Sequence, residues 1–224
     1  MNGNNPKSGK QSFGLLRRHE VLLPTLRGWF FLLLMGGVLT FVTVQKLYSF
    51  LATTDPVSGG ALIVEGWIPD YAYEKVIAEF KQNRYSKLYV TGGLIEQGWC
   101  TSGAMTYAEV GADIARRKGI PSNFVQAVPA PKVDRDRTYT SAMALRNWLL
   151  AQGVAPKSYH VMTMGPHARR TRLLFEKALG EGAVVGITAI DDASYDPKHW
   201  WNTSAGVRTV VGEAIAYAYV RLFF

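Results

Sequence analysis

Tyr159-His160-Val161-Met162-Thr163-Met164-Gly165-Pro166-His167-Ala168-Arg169-Arg170 reads as a short apolar strand, a Gly-Pro stop and the opening of a helix. The strand covers Tyr159–Met164 and the helix His167–Leu179. The same beat repeats on either side of it. Upstream, strands over Ala61–Glu65, Lys87–Val90 and Phe124–Val128 alternate with helices over about Tyr71–Asn83, Ala104–Lys118 and Thr138–Gln152. Gly119-Ile120-Pro121 and Gly153 stop the second and third of those helices. Downstream, Val184–Ile190 is a fifth strand and Gly206–Leu222 a closing helix, with Val207, Val210, Val211, Ala214, Ile215, Ala218, Tyr219 and Leu222 on one face. That face, with Trp200-Trp201, reads as core. Strands that are short and apolar on both faces, separated by helices, mean a parallel sheet covered on both sides. The expected fold is α/β, a doubly wound, mainly parallel Rossmann-like three-layer sandwich, with its switch point near the first and fourth strands.

The N-terminal part belongs to another solvent. Gly28 to Gln45 are 18 consecutive residues without an ionisable side chain, about 27 Å of helix, close to the hydrocarbon thickness of a bilayer. Arg27 and Lys46 close the run, and Trp29 and Tyr48 stand where interfacial aromatics are favoured. Before it come Lys7, Lys10, Arg17, Arg18 and Arg27 against one acid, Glu20, a net charge of +4 out of +8 for the chain. By the positive-inside rule the N-terminus stays in the cytoplasm and the domain is exported. A cleaved signal peptide is the competing reading, weakened by a long n-region and by the poor cleavage site at Ser49-Phe50-Leu51-Ala52. The expected organisation is a basic cytoplasmic tail over 1–27, a transmembrane anchor over 28–51, a linker over 52–60 and an α/β domain over 61–224. The localisation that follows is the inner (cytoplasmic) membrane, single-pass, with the globular domain extracytoplasmic. A linker of roughly ten residues spans at most about 35 Å, which keeps the domain near the outer leaflet.

Composition excludes several classes. Half of the excess positive charge lies in the tail, where it meets anionic lipid, so the pI near 9.6 does not imply a nucleic-acid partner. One cysteine, Cys100, excludes an internal disulfide and a structural zinc site, and it stands beside Thr101 and Ser102 with no placed base. His160, His167 and His199 lack metal-ligand spacing, so no metal is expected. The chain contains no G-x-G-x-x-G, Walker A or G-x-S-x-G motif.

In open parallel sheets ligands bind outside the carboxyl ends of the strands. The unusual residues fall there: Glu65-Gly66-Trp67, Thr91-Gly92-Gly93, Asp134-Arg135-Asp136-Arg137-Thr138, Gly165-Pro166-His167-Ala168-Arg169-Arg170, and Asp191-Asp192. A helix start carries partial positive charge and prefers acids, yet the fourth helix begins with His167, Arg169 and Arg170. Free amides and guanidinium groups together make an anion cradle; the alternative is a set of arginines splayed into solvent or paired with Asp191 and Asp192. Gly92 and Gly93 give a ligand backbone access or simply turn the chain. Thr138 caps the third helix. Glu65 is an acid/base candidate or a surface acid, and His160 inside a strand is packed.

The order of landmarks resembles a family. Tyr89-Val90-Thr91-Gly92-Gly93 precedes Tyr107-Ala108-Glu109, followed by Lys118-Gly119-Ile120-Pro121, Arg137-Thr138-Tyr139-Thr140-Ser141-Ala142 and Met164-Gly165-Pro166-His167-Ala168-Arg169-Arg170. This succession is similar to the YdcF/SanA/ElyC-like envelope domain over about residues 60–190. Met-Gly-Pro-His departs from the usual Thr-Ser-x-x-His run, Ser141-Ala142 from Asn-Ala, and Val64-Glu65-Gly66-Trp67 from a Gly-rich turn, as in a divergent branch. The resemblance implies a Rossmann-like, membrane-anchored domain associated with envelope integrity, cell-wall precursor or polysaccharide metabolism; it supplies neither a reaction nor a cofactor.

The function expected from these features is binding of an anionic, phosphorylated envelope precursor. Its expected site residues are Gly66, Thr91, Gly92, Gly93, Arg137, Thr138, Gly165, His167, Arg169 and Arg170, with Glu65 as the acid/base candidate. Besides that ligand, the lipid bilayer is an expected partner, nucleic acid is not, and protein partners stay open. The alternative is a non-catalytic interaction or scaffold module of envelope or export machinery.

Overall fold

The computed structural model describes residues 23–95 and 105–224; Cys100 and residues 1–22 of the expected basic tail lie outside them. The chain divides into two compact units, Met1–Val42 and Thr43–Phe224. What is described of the first is the start of helix α1 (Leu26–Leu51), with every side chain from Phe30 to Val42 exposed. Among the described residues α1 is the one helix long and apolar enough to cross a membrane.

The second unit is the α/β domain. Its elements are β1 (Ala61–Glu65), α2 (Tyr73–Gln82), β2 (Lys87–Gly92), α3 (Tyr107–Arg117), β3 (Val125–Pro129), α4 (Arg137–Ala151), β4 (Ser158–Met164), α5 (Ala168–Leu179), β5 (Val184–Ile190) and α6 (Ser204–Phe223). The five strands form one parallel sheet in the order β3-β2-β1-β4-β5. The chain winds outward from β1 to β3, then returns across to β4, so the switch point lies between β1 and β4, where a ligand crevice is expected in such sheets.

Period-two alternation sends each strand into two cores. Leu62, Val64, Leu88, Val90 and Met162 pack with Tyr73, Val76, Ala112 and Ala115 of α2 and α3. Ala61, Ile63, Tyr89 and Val161 pack with Ala142, Leu145, Ala168 and Phe175 of α4 and α5. A third cluster joins Tyr48 and Leu51 to Tyr195, Trp200 and Val210, so the last turns of α1 belong to the domain.

Three expectations change. Residues 52–60 are not a free linker: Asp55 exchanges both backbone hydrogen bonds with Ile187, and the Val57 N–H donates to His160 Nδ1 at 3.1 Å. This accounts for His160, which is fully buried and whose pKa burial pushes down. Thr138 does not cap α4; the N-cap is Asp136 and Thr138 lies buried in the first turn. The apolar face of α6 is core only in part. Val210 is buried, while Val207, Val211, Ile215, Tyr219 and Leu222 are exposed. The helix is apolar almost all round, so hydropathy alone does not choose which side turns inward.

Candidate functional site

Glu65 ends β1 on the α4/α5 face, in register with Thr91 of β2. Thr163 of β4 follows on the same face, and a row of polar side chains therefore crosses the ends of the central strands. Glu65 is only 2% exposed. Its Oε2 accepts hydrogen bonds from Thr163 Oγ1 at 2.5 Å and from Thr171 Oγ1 at 3.3 Å. Thr91 Oγ1 is buried and has no partner.

Gly165, at φ 34°, turns the chain sharply after β4; a Cβ there would come within 3.2 Å of the Tyr48 hydroxyl. The turn delivers His167 over the row. His167 Nε2 stands 3.5 Å from Glu65 Oε2 and 3.4 Å from Thr138 Oγ1. Its Nδ1–H donates to Glu213 Oε1 of α6 at 2.8 Å. Arg170 donates through Nε to Glu213 Oε2 at 2.8 Å and through an Nη to Oε1 at 3.1 Å, a two-point pairing.

Two acids and two bases thus form one quartet, with Glu65 buried and the other three part-buried. Burial pushes the His167 imidazole down, but the charge of Glu65 and the hydrogen bonds to both acids outweigh it and lift the pKa to about 9. Glu213 moves the other way: burial raises it, and hydrogen bonds from His167 and Arg170 bring it down to about 2. Glu65 is also lowered, its burial overcome by the charge of His167. At neutral pH the group is therefore an imidazolium and a guanidinium between two carboxylates.

The quartet opens into a cleft of about 640 Å³. Arg135, Asp136, Arg137 and Thr138 line one side, Trp67 and His167 the floor, and Gly212, Ile215, Ala216 and Tyr219 of α6 the other side. The Trp67 ring stands edge-on to the imidazole, 5.2 Å between centroids. Asp136 has φ 58°, the sole non-glycine residue with positive φ among the described residues, and its carboxylate does not cap α4. The helix therefore presents the uncapped amides of its first turn, and the partial positive charge of its dipole, beside Arg135 and Arg137.

Of the residues singled out from sequence, Glu65, Thr91, Arg137, Thr138, Gly165, His167 and Arg170 meet in or under this cleft. Gly66 and Gly92 do not open toward a ligand. A Cβ on Gly66 would lie 2.1 Å from the Tyr107 carbonyl oxygen, and one on Gly92 2.7 Å from Tyr107 Cβ; both let α3 approach the strand ends. Gly93 O accepts from Tyr107 N at 2.9 Å. Arg169 turns away, its guanidinium 4.1 Å from the Phe50 ring centroid and its Nε donating to the Phe50 carbonyl. Arg172 pairs with Asp55 at 2.7 Å and Glu176 at 2.9 Å. The cations at the start of α5 are thus answered by groups of the protein, although not by Asp191 or Asp192. Glu213 was missed. Its signal in the sequence is that it is the one acid in a largely apolar helix.

Among the described residues no group of three or more His, Cys, Asp or Glu side chains could hold a metal ion. No family model, curated protein or solved structure matches the chain. What fold and site define is a parallel α/β domain with a charged, largely buried quartet at a cleft by its switch point.

Proposed function

We propose that the protein is a single-pass, membrane-anchored envelope protein of the YdcF/SanA/ElyC-like kind that binds an anionic, phosphorylated ligand in the switch-point cleft, in cell-wall precursor or polysaccharide metabolism. The observation that carries the reading is the His167 imidazolium at the floor of the cleft, with Arg135, Arg137 and the uncapped start of α4 along one side. A phosphate seated there meets the His167 Nε2–H, two guanidinium groups and helix amides, each a charge-assisted or dipole-assisted donor. Arg170 acts behind His167, through Glu213. The placement outside the cytoplasm is supported by the net +4 before the apolar helix and by the exposure of that helix up to Val42.

Titrating the full-length protein in nanodiscs with inorganic phosphate and following the phosphorus resonance tests the ligand class. Phosphate is expected to broaden on binding, and Arg135→Ala plus Arg137→Ala to abolish the effect. Equal binding by that double variant contradicts the assignment. Alkaline phosphatase fused after Phe224 should be active; an inactive fusion of full abundance contradicts the orientation.

The second reading, a scaffold without ligand, is favoured by one feature: the four charges of the quartet neutralise each other. It predicts no phosphate binding and loss of stability alone when the quartet is broken.

A further inference from the structure

On the anchor reading, the uncharged run ends at Gln45, and Lys46 marks the level of the lipid head groups. Val44 lies two residues before Lys46, about 3 Å deeper along the helix. Val44 nevertheless already touches the α/β domain. Its carbonyl accepts a hydrogen bond from Trp200 Nε1 at 3.3 Å, and it packs with Leu47 against the cluster of Tyr48, Leu51, Trp200 and Val210. Trp200 belongs to a short helical turn over Pro197–Asn202, and the Trp201 ring stands edge-on to it, 5.7 Å between centroids. The start of α6 rests on the same turn: a Cβ on Gly206 would lie 2.2 Å from the Trp200 carbonyl oxygen. Beside this contact Lys198, His199, Val207, Arg208 and Val211 are exposed.

We propose that the turn carrying Trp200-Trp201 and the first two turns of α6 form a membrane-contacting foot, seated in the head-group layer of the leaflet from which α1 emerges. This rests on the reading of α1 as a retained anchor and adds to it a second, interfacial contact made by the domain itself. Trp201, Val207 and Val211 supply the apolar surface, the indole lying in the layer where tryptophan is favoured. Lys198 and Arg208, which have no carboxylate partner among the described residues, meet the lipid phosphates. Of the nearby acids, Asp196 is paired with His199 at 2.6 Å, and Asp191 is held through Tyr48, one helical turn beyond Val44. The occupant is lipid because of where the foot stands. A protein covering it would have to displace the leaflet at the level of Val44. A span with a foot fixes which face of the domain looks at the bilayer, whereas a span and a free linker would leave the domain turning.

Nitroxide labels on the full-length Cys100→Ser protein, in nanodiscs of equal parts phosphatidylcholine and phosphatidylglycerol, test the foot. Collisions with oxygen, which concentrates in lipid, are compared with collisions with a water-borne nickel chelate. Met35→Cys reads the span and Val207→Cys and Val211→Cys read the foot, with Leu150→Cys, exposed on α4, as the control. Oxygen is expected to dominate at Met35, Val207 and Val211, and nickel at Leu150. Adding Lys198→Gln and Arg208→Gln should move the Val207 label toward water, lowering the docked-to-free ratio roughly fivefold for each cation lost. If nickel dominates at Val207 and Val211 while oxygen dominates at Met35, the foot is refuted and the anchor stands. If nickel dominates at Met35 as well, the anchor reading fails and the foot with it. A Val207 label that the two Gln substitutions leave unmoved overturns the head-group assignment. So does oxygen at Leu150 equal to that at Val207, which shows no preferred face, and so does spin–spin broadening at Val207, which would assign the surface to a second copy.

Discussion

The two faces of the sheet use the same strand ends for opposite purposes. On the α2/α3 face the strands finish in Gly66 and Gly92, and Gly111 of α3 comes down upon them; a Cβ on Gly111 would lie 3.0 Å from Gly66 Cα. Here glycine buys backbone contact between helix and strand, and the space is filled by protein. On the α4/α5 face, one residue earlier in each strand, Glu65 and Thr91 point the other way, and the space above them is taken by His167 and then by the cleft. A glycine pair after a strand is therefore not in itself a ligand signal. The alternation of the strand decides which of two neighbouring residues sees the site.

Breaking the polar face should cost most. Glu213→Ala leaves His167 and Arg170 charged, largely buried and without their shared partner, and a loss of about 3–5 kcal/mol in unfolding free energy is expected from denaturant titration. A change within about 1 kcal/mol would show that the quartet is not formed in solution.

Breaking the glycine face should come next. Gly66→Ala forces a Cβ into the Tyr107 carbonyl, which is backbone and cannot rotate away, for a loss of roughly 3 kcal/mol. Gly93→Ala is the control: its Cβ would meet nothing nearer than 3.9 Å, and a change under about 0.5 kcal/mol is expected. Similar losses at the two positions would remove the distinction between packed and open glycines.

Titration sharpens the comparison, because the polar face carries the shifted groups. The folded pKa of His167, about 9, lies above its ordinary 6.5, so its contribution is complete below pH 6.5 and is lost as pH rises through 9. Glu213, at about 2 against 4.5, contributes fully above pH 4.5 and loses that contribution as pH falls through 2. Thermal stability should therefore plateau between pH 4.5 and 6.5 and fall on both sides. Glu65→Gln, which removes the charge that raises His167, should weaken the decline above pH 6.5; an unchanged decline would assign it to other groups.

The smallest effect separates two adjacent arginines. Arg169→Ala loses a contact with the Phe50 ring and a hydrogen bond to its carbonyl, worth about 1 kcal/mol, and should leave phosphate affinity unchanged. A large loss of phosphate affinity would return Arg169 to the site.

Much of this was legible in the sequence, and the limits have physical causes. Short apolar strands and glycine stops located all five strands to within two residues, since period and length are local signals. The strand ends also located Glu65 and His167. Glu213 was not legible as their partner because it lies 46 residues beyond His167, on a helix whose composition shows no polar side. The fates of Arg169 and Arg170 were equally out of reach. Both stand in the first turn of one helix, and what separates them is which distant acceptor, Phe50 or Glu213, each side chain meets. The fixed course of residues 52–60 escaped notice for a related reason: turn-forming residues mark the absence of regular structure, not the absence of hydrogen bonds.

Labelled histidine resonances of the full-length protein test most directly the proposal that His167 is an imidazolium facing a bound anion. The protein has four histidines, and His167→Gln identifies the signal. This imidazole is expected to titrate near pH 9 and to shift when phosphate is added. A His167 that titrates at or below its ordinary 6.5, or that does not respond to phosphate, would contradict it.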